Sequence, residues 1–113
     1  MSFWRKEVIQ PALDEETRRH IEEQRAWIAR EAANPRPYYQ LAQFYRIEGR
    51  LDEALGLLLE AVRLDERFAE AHASLAEMYA VMEDYPAAWR HARAAEQAGD
   101  SRAADLLRRY GVR

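Results

Sequence analysis

The chain has 113 residues, no cysteine, 17 Lys plus Arg against 20 Asp plus Glu, and a formal net charge of −3 at pH 7. The absence of cysteine excludes a disulfide framework, a thiolate metal site and a cysteine nucleophile. No run of ~18 apolar residues occurs and the charges nearly balance, so we expect a soluble cytoplasmic domain with neither a membrane span nor a nucleic-acid partner. Only four Gly and four Pro interrupt a composition rich in Ala, Leu, Glu and Arg, which predicts an all-α fold.

Residues 1–13 form an N-terminal segment that we interpret as part of the mature protein. Charged residues stand where a secretory signal would be apolar. We predict that Phe3 and Trp4 are a docking element, mobile or loosely packed in the isolated protein. Its destination is open between the chain's own first long helix and a partner protein. A membrane surface is the least favoured destination, because Arg5 and Lys6 are offset by Glu7.

One long helix is predicted over 14–33. Its first turn is acidic, and Asn34-Pro35 stops it. An apolar stripe runs along it through Ile21, Trp27, Ile28 and Ala32. We expect this stripe to lie on the helix that begins near Arg36.

The middle of the chain repeats itself at an offset of 34 residues. Seven small or apolar positions recur: Tyr38, Leu41, Ala42, Tyr45, Ala54, Leu58 and Ala61 return as His72, Leu75, Ala76, Tyr79, Ala88, Ala92 and Ala95. Their spacing places one stripe on each of two successive helices, so each unit is predicted to be a helical hairpin. The repeated alanines allow those helices to pack closely.

A short capping helix is predicted over 102–110. Gly99 closes the helix before it, and Ser101 is placed to cap it. Its predicted inner face is Ala103, Leu106, Leu107 and Tyr110, and its outer face is Arg102, Asp105, Arg108 and Arg109. Because such a cap covers the last apolar layer, we expect a monomer in isolation.

These units resemble the tetratricopeptide repeat (TPR) family. Residues 35–68 match its 34-residue pattern, including Gly49 at the turn. Residues 69–102 match with departures, namely His72 for an aromatic, Glu83 for the turn glycine, Ala92 for a large residue and Asp100 for a proline. The resemblance implies that residues 14–113 form one domain, a short right-handed α-solenoid of antiparallel hairpins with a concave face where partners bind.

Candidate catalytic groups are few. His20, His72 and His91 lie in no metal or nucleophile motif. We interpret His20, with Glu16 and Glu23 beside it, as part of a solvated helix face rather than a metal site. His72 is expected to pack between helices with one ring nitrogen hydrogen-bonded, and His91 is expected to be exposed. We therefore predict no catalytic residues, no metal and no cofactor.

One row of residues is the candidate binding surface. By the resemblance it lies on the concave face and comprises Arg36, Tyr39, Gln43, Arg46, Glu70, Ala73, Glu77 and Ala80. An exposed Tyr39 beside arginines has the composition enriched at interaction hot spots. The row runs from positive at its first half to negative at its second, which suits a dipolar peptide. It lacks the Lys and Asn with which one subset of the family clamps peptide carboxylates.

Three classes of function remain after these observations. We expect a non-catalytic interaction module or adaptor that binds a peptide or a partner's helix. The alternative is a constitutive structural subunit of a larger protein complex, which would also use the convex side and the ends. An enzyme is the third class, and the sequence offers it no paired titratable groups.

Overall fold

The computed structural model describes the backbone of residues 2–113 and the side chains of residues 14–113. Over that range the chain is all-α, which confirms the predicted fold class, and it contains no strand. The helices are α1 (Ser2–Arg30), α2 (Pro35–Ile47), α3 (Leu51–Leu64), α4 (Ala69–Val81), α5 (Tyr85–Gln97) and α6 (Arg102–Arg109). The docking predicted for Phe3 and Trp4 concerns side chains that lie outside the described ones.

The helix α1 differs from the predicted 14–33 at both ends. It begins at Ser2 and ends at Arg30, three residues before the predicted stop. The earlier end has a local cause, because the backbone must turn before Pro35 can open α2. In that turn the Asn34 N–H donates to the Glu31 carbonyl at 3.0 Å, and the Asn34 side chain accepts from the Arg36 N–H at 3.0 Å.

The later helix boundaries repeat along the chain. Both α2 and α4 have 13 residues, and their first residues lie 34 positions apart, as do those of α3 and α5. The turns are also alike: the Arg50 N–H donates to the Tyr45 carbonyl at 2.8 Å, and the Asp84 N–H donates to the Tyr79 carbonyl at 2.9 Å. The sequence period is therefore also a period of the backbone.

Each helix packs against the next one in the chain, and α4 also contacts α6. The predicted small residues lie at these contacts, since Ala42, Ala54, Ala61, Ala76, Ala88 and Ala95 are all buried. A first cluster joins α1 to α4 around Leu41, Leu58 and Leu75, and a second, alanine-rich cluster joins α4, α5 and α6. Among the described residues, no helix is long and apolar enough to cross a bilayer.

The C-terminal helix corrects the predicted cap. Its buried residues are Ala103, Ala104 and Leu107, whereas Leu106 is 42% exposed and Tyr110 is 73% exposed. Tyr110 is the C-cap residue, one position after the last helical residue of α6. Ser101 is the N-cap residue of α6, as predicted, but its side chain makes no capping hydrogen bond, because its hydroxyl donates to the Asp105 carboxylate at 2.9 Å. Asp100 accepts from the Arg102 N–H instead, at 3.1 Å.

Candidate interaction surface

A groove of about 240 Å³ opens between α2 and α4 and is bordered by the start of α6. It brings together six residues of the predicted row: Tyr39, Gln43, Arg46, Glu70, Ala73 and Glu77. Ser74 and Arg102 complete the lining. We call this feature the α2–α4 groove.

Polar side chains bridge the groove from one helix to the other. The Gln43 amide Nε2 donates to the Ser74 Oγ at 3.3 Å. The Arg46 guanidinium donates to the Gln43 Oε1 at 3.3 Å and to the Glu77 Oε2 at 3.4 Å. These contacts are at the long end of hydrogen-bond geometry. The groove thus holds both donors and acceptors in loose mutual contact.

Tyr39 is less exposed than the sequence predicts. It is half-buried, because its ring packs against Phe68 with centroids 5.2 Å apart and planes 40° from each other. The Arg36 guanidinium also lies over the Phe68 ring, 5.3 Å from its centroid. Phe68 itself is buried, so Tyr39 is held in place by the core rather than free in solvent.

Two members of the predicted row do not line the α2–α4 groove. Arg36 lines a neighbouring depression that shares Glu70 with the groove. Ala80 is half-buried and packs against the alanine-rich cluster. Ala73, which does line the groove, is buried at its floor with 7% of its surface exposed. Of the row, these two alanines contribute packing more than accessible surface.

The charged side chains of the row form ion pairs between α2 and α4. Arg36 lies 3.9 Å from Glu70, and Arg46 lies 3.4 Å from Glu77, each pair joining α2 to α4. The predicted change from positive to negative thus runs across the groove, from the arginines of α2 to the glutamates of α4, and each positive side chain faces a negative one. All four side chains keep solvent access, so the pairs are weak and exchangeable.

Arg102 is a groove residue that the sequence analysis placed on the outer face of the capping helix. Its guanidinium forms two hydrogen bonds with the Asp100 carboxylate, at 2.9 and 2.7 Å. These bonds lower the pKa of Asp100 and raise that of Arg102. One signal could have identified it. The start of α6 lies 33 residues after the start of α4, close to one further repeat period, so its first turn borders the same face.

A histidine pair, with His72 buried and His91 half-buried, links α4 to α5 away from this groove. His72 Nε2 lies 2.8 Å from the Glu66 carbonyl oxygen, so it must donate, and the Nδ1 atoms of His72 and His91 lie 3.1 Å apart, within hydrogen-bond distance of each other. The prediction for His72 is confirmed. The prediction for His91 is wrong, because it is half-buried and stacks on Tyr79 with centroids 5.6 Å apart.

This environment changes the acidity of His91. Burial first, and then the neighbouring His72 and Arg90, lower its pKa from 6.5 to about 4. A His91 ring that stays neutral near pH 7 can either donate or accept the Nδ1 hydrogen bond with His72, according to its tautomer.

His20 is also less solvated than predicted. Its ring stacks on Phe44 with centroids 5.4 Å apart, and it lies 3.8 Å from Glu16 and 3.5 Å from Glu23. In the part of the chain whose side chains are described, no three His, Asp or Glu residues are grouped so that they could hold a metal ion.

No protein-family model matches this chain, and no curated protein sequence matches it. Function is therefore inferred from the side chains and geometry described above.

Proposed function

We propose that this protein is a non-catalytic interaction module that binds a peptide or a partner's helix in the α2–α4 groove. In this proposal the hairpins α2–α3 and α4–α5 are two tetratricopeptide-like repeats in a short right-handed solenoid, and the groove is its concave face. The 34-residue spacing of the helix starts, the buried alanines at equivalent positions and the two similar turns support this arrangement.

The observation that carries the proposal is the convergence of the predicted row on one groove. The Tyr39 ring already packs against Phe68. Binding a partner therefore costs less side-chain entropy than it would for a freely rotating tyrosine. Gln43, Arg46 and Glu77 offer donors and acceptors whose present contacts are 3.3 to 3.4 Å long. A peptide backbone and its charged groups can replace such contacts at little cost.

The alternative is a constitutive subunit of a larger complex. The exposed Leu106 on the last helix and Tyr110 directly after it favour this alternative, because they present apolar surface at the end of the molecule where another subunit could pack. A subunit of this kind should aggregate or unfold when isolated, whereas an interaction module should remain a monomer and bind reversibly.

A pull-down from the native host tests the proposal. The wild type is compared with Tyr39→Ala combined with Glu77→Arg, and with Glu77→Arg alone in case the double variant is unstable. Tyr110→Ala combined with Glu66→Arg is the matched control, since both of its positions are exposed and outside the groove. Partners that the wild type and the control recover, and both groove variants lose, support the proposal. Equal recovery by all four proteins rejects it.

A further inference from the structure

A second depression, of about 200 Å³, lies between the start of α3 and the end of α4. Leu51, Leu55, Met78, Val81 and Met82 form its apolar lining, and Arg46 and Asp52 complete it. We call it the α3–α4 cleft. It differs from the α2–α4 groove in character, and the two share only Arg46.

The apolar side chains of this cleft are unusually accessible. Val81 is 80% exposed, Met82 is 55% exposed and Leu51 is 50% exposed, whereas Met78 at the base is 6% exposed. Neither Val81 nor Met82 belongs to either of the two apolar clusters. Adjacent large apolar side chains left in water mark an interaction site more often than a scattered one does.

The repeat itself does not require this apolar surface. One period earlier, the corresponding depression lies at the end of α2 and contains Arg18, Ile21 and Glu48. Arg18 is the counterpart of Asp52, and Glu48 is the counterpart of Met82. The same backbone geometry therefore accepts charged residues at these positions. An apolar residue at position 82 and the apolar character of the lining as a whole are therefore not imposed by the repeat, and distinguish the α3–α4 cleft from the earlier depression.

The surroundings of the cleft are acidic. Asp52 lines it, and the exposed Glu83 and Asp84 follow Met82 directly in the chain. The two nearby arginines are already paired, Arg46 with Glu77 and Arg50 with both Glu48 and Glu53. The last turn of α4 contains no basic residue, so nothing on that helix offsets the partial negative charge of its C-terminal end.

We propose that the α3–α4 cleft docks an amphipathic helix of a partner protein that presents a large aliphatic side chain flanked by Lys or Arg. The aliphatic side chain enters between Val81, Met82 and Leu51. The flanking cations face Asp52, Glu83 and the end of α4. We assign basic residues to the occupant because the unpaired charges around the cleft are negative. We assign it an aliphatic side chain because the apolar residues that line the cleft are not aromatic. This site is additional to the α2–α4 groove, and the two surfaces can be occupied by separate segments.

The test uses a defined probe, a fluorescein-labelled 14-residue peptide of leucine and lysine arranged as an amphipathic helix, with binding measured by anisotropy. Val81→Gln combined with Met82→Gln should weaken binding about tenfold, because both side chains lose their apolar contacts. Ile47→Gln is the matched control. Ile47 occupies the position one period before Val81, is 79% exposed and does not line the cleft, so its replacement should change affinity less than about twofold.

A second peptide has every lysine replaced by glutamate, and it should bind at least about tenfold more weakly than the lysine peptide to the wild type. Equal binding of the two peptides, or equal effects of the cleft variant and Ile47→Gln, would overturn the proposal. Sedimentation of the wild type provides a further check. Self-association that disappears in the Val81→Gln, Met82→Gln variant would mean that a second copy of the chain is the occupant, and would also overturn it.

Discussion

Gly49 and Glu83, one repeat period apart, adopt the same left-handed backbone conformation, with φ of 78° and 62°. Gly49 lies in the turn between α2 and α3, and Glu83 lies in the equivalent turn between α4 and α5. Glycine enters this region without penalty, whereas a residue with a Cβ atom is strained there by about 1 to 2 kcal/mol. The second turn is therefore held in place by the packing of the two helices that it joins.

The first prediction is that Glu83→Gly stabilises the protein. Removing the strain at this turn should raise the free energy of unfolding by about 0.5 to 1 kcal/mol, after allowance for the greater freedom of glycine in the unfolded chain. Urea denaturation followed by circular dichroism measures the change.

The reciprocal variant is Gly49→Ala, which should destabilise by about 1 kcal/mol. No atom lies within 4 Å of the position where a Cβ would stand at Gly49, so the effect would be conformational and not a steric clash. If Glu83→Gly lowers stability, the left-handed turn is not the source of strain.

The second prediction concerns the alanines between the helices. Ala42 is fully buried and Ala76 is 1% exposed, each between closely packed helices. Ala42→Leu or Ala76→Leu should destabilise by about 1 to 3 kcal/mol through overpacking. Melting temperatures measure this effect, and unchanged values for both variants would contradict the assigned 34-residue register.

The third prediction is a loss of stability in acid that depends on His91. Its pKa is lowered from 6.5 to about 4 by burial first and by His72 and Arg90 next. Between these two pH values the unfolded chain binds more protons at this residue than the folded one. The stabilisation is therefore present above pH 6.5 and is lost as the pH falls toward 4. Because the ring is only half-buried, we expect a loss of about 1 to 2 kcal/mol.

The unfolding free energy should be measured from pH 7.5 to 4 for the wild type, His91→Gln and His20→Gln. The glutamine at position 91 keeps a donor for His72 but does not titrate, so its curve should fall less steeply over this window. His20→Gln replaces a histidine outside this pair and shows whether the change in slope is specific to position 91. Parallel curves for the wild type and His91→Gln would show that this residue does not carry the acid sensitivity.

The fourth prediction separates two adjacent leucines of the last helix. Leu107 is 6% exposed and packs in the alanine-rich cluster, whereas Leu106 is 42% exposed. Leu107→Ala should destabilise by about 2 to 3 kcal/mol, and Leu106→Ala by less than about 1 kcal/mol. Thermal unfolding of the two variants side by side measures the difference, and equal losses would mean that α6 packs with another face.

The sequence predicts the helices and the repeat well because both depend on local spacing and on small residues that recur at one period. Ala54 and Ala88 needed no tertiary knowledge to be assigned to helix contacts. The ends of the elements were less predictable. Ser101 is the N-cap residue of α6, but the side chain that accepts a backbone N–H there is that of Asp100, one position earlier, and both residue types are common at helix starts.

Most residues of the candidate site could be predicted from the sequence, but the pairing of their charges could not. The repeat placed Tyr39, Gln43 and Glu77 on one face, and the structure brings them together. The sequence repeat could not show that Arg46 faces Glu77, because their pairing depends on how α2 and α4 pack against each other. Burial of His91 was missed for the same reason. Its partners His72 and Tyr79 belong to another helix, and spacing within α5 carries no record of them.

The most direct test of the central claim is site-specific photo-crosslinking in the native host. A photoreactive phenylalanine analogue is placed at Glu77, which is exposed at the α2–α4 groove, or at Leu59, which is 39% exposed on α3 and outside the groove. We predict a discrete crosslinked partner at position 77, absent at position 59 and reduced when Tyr39→Ala is added. Crosslinking at position 59 with none at position 77 would contradict binding in the groove.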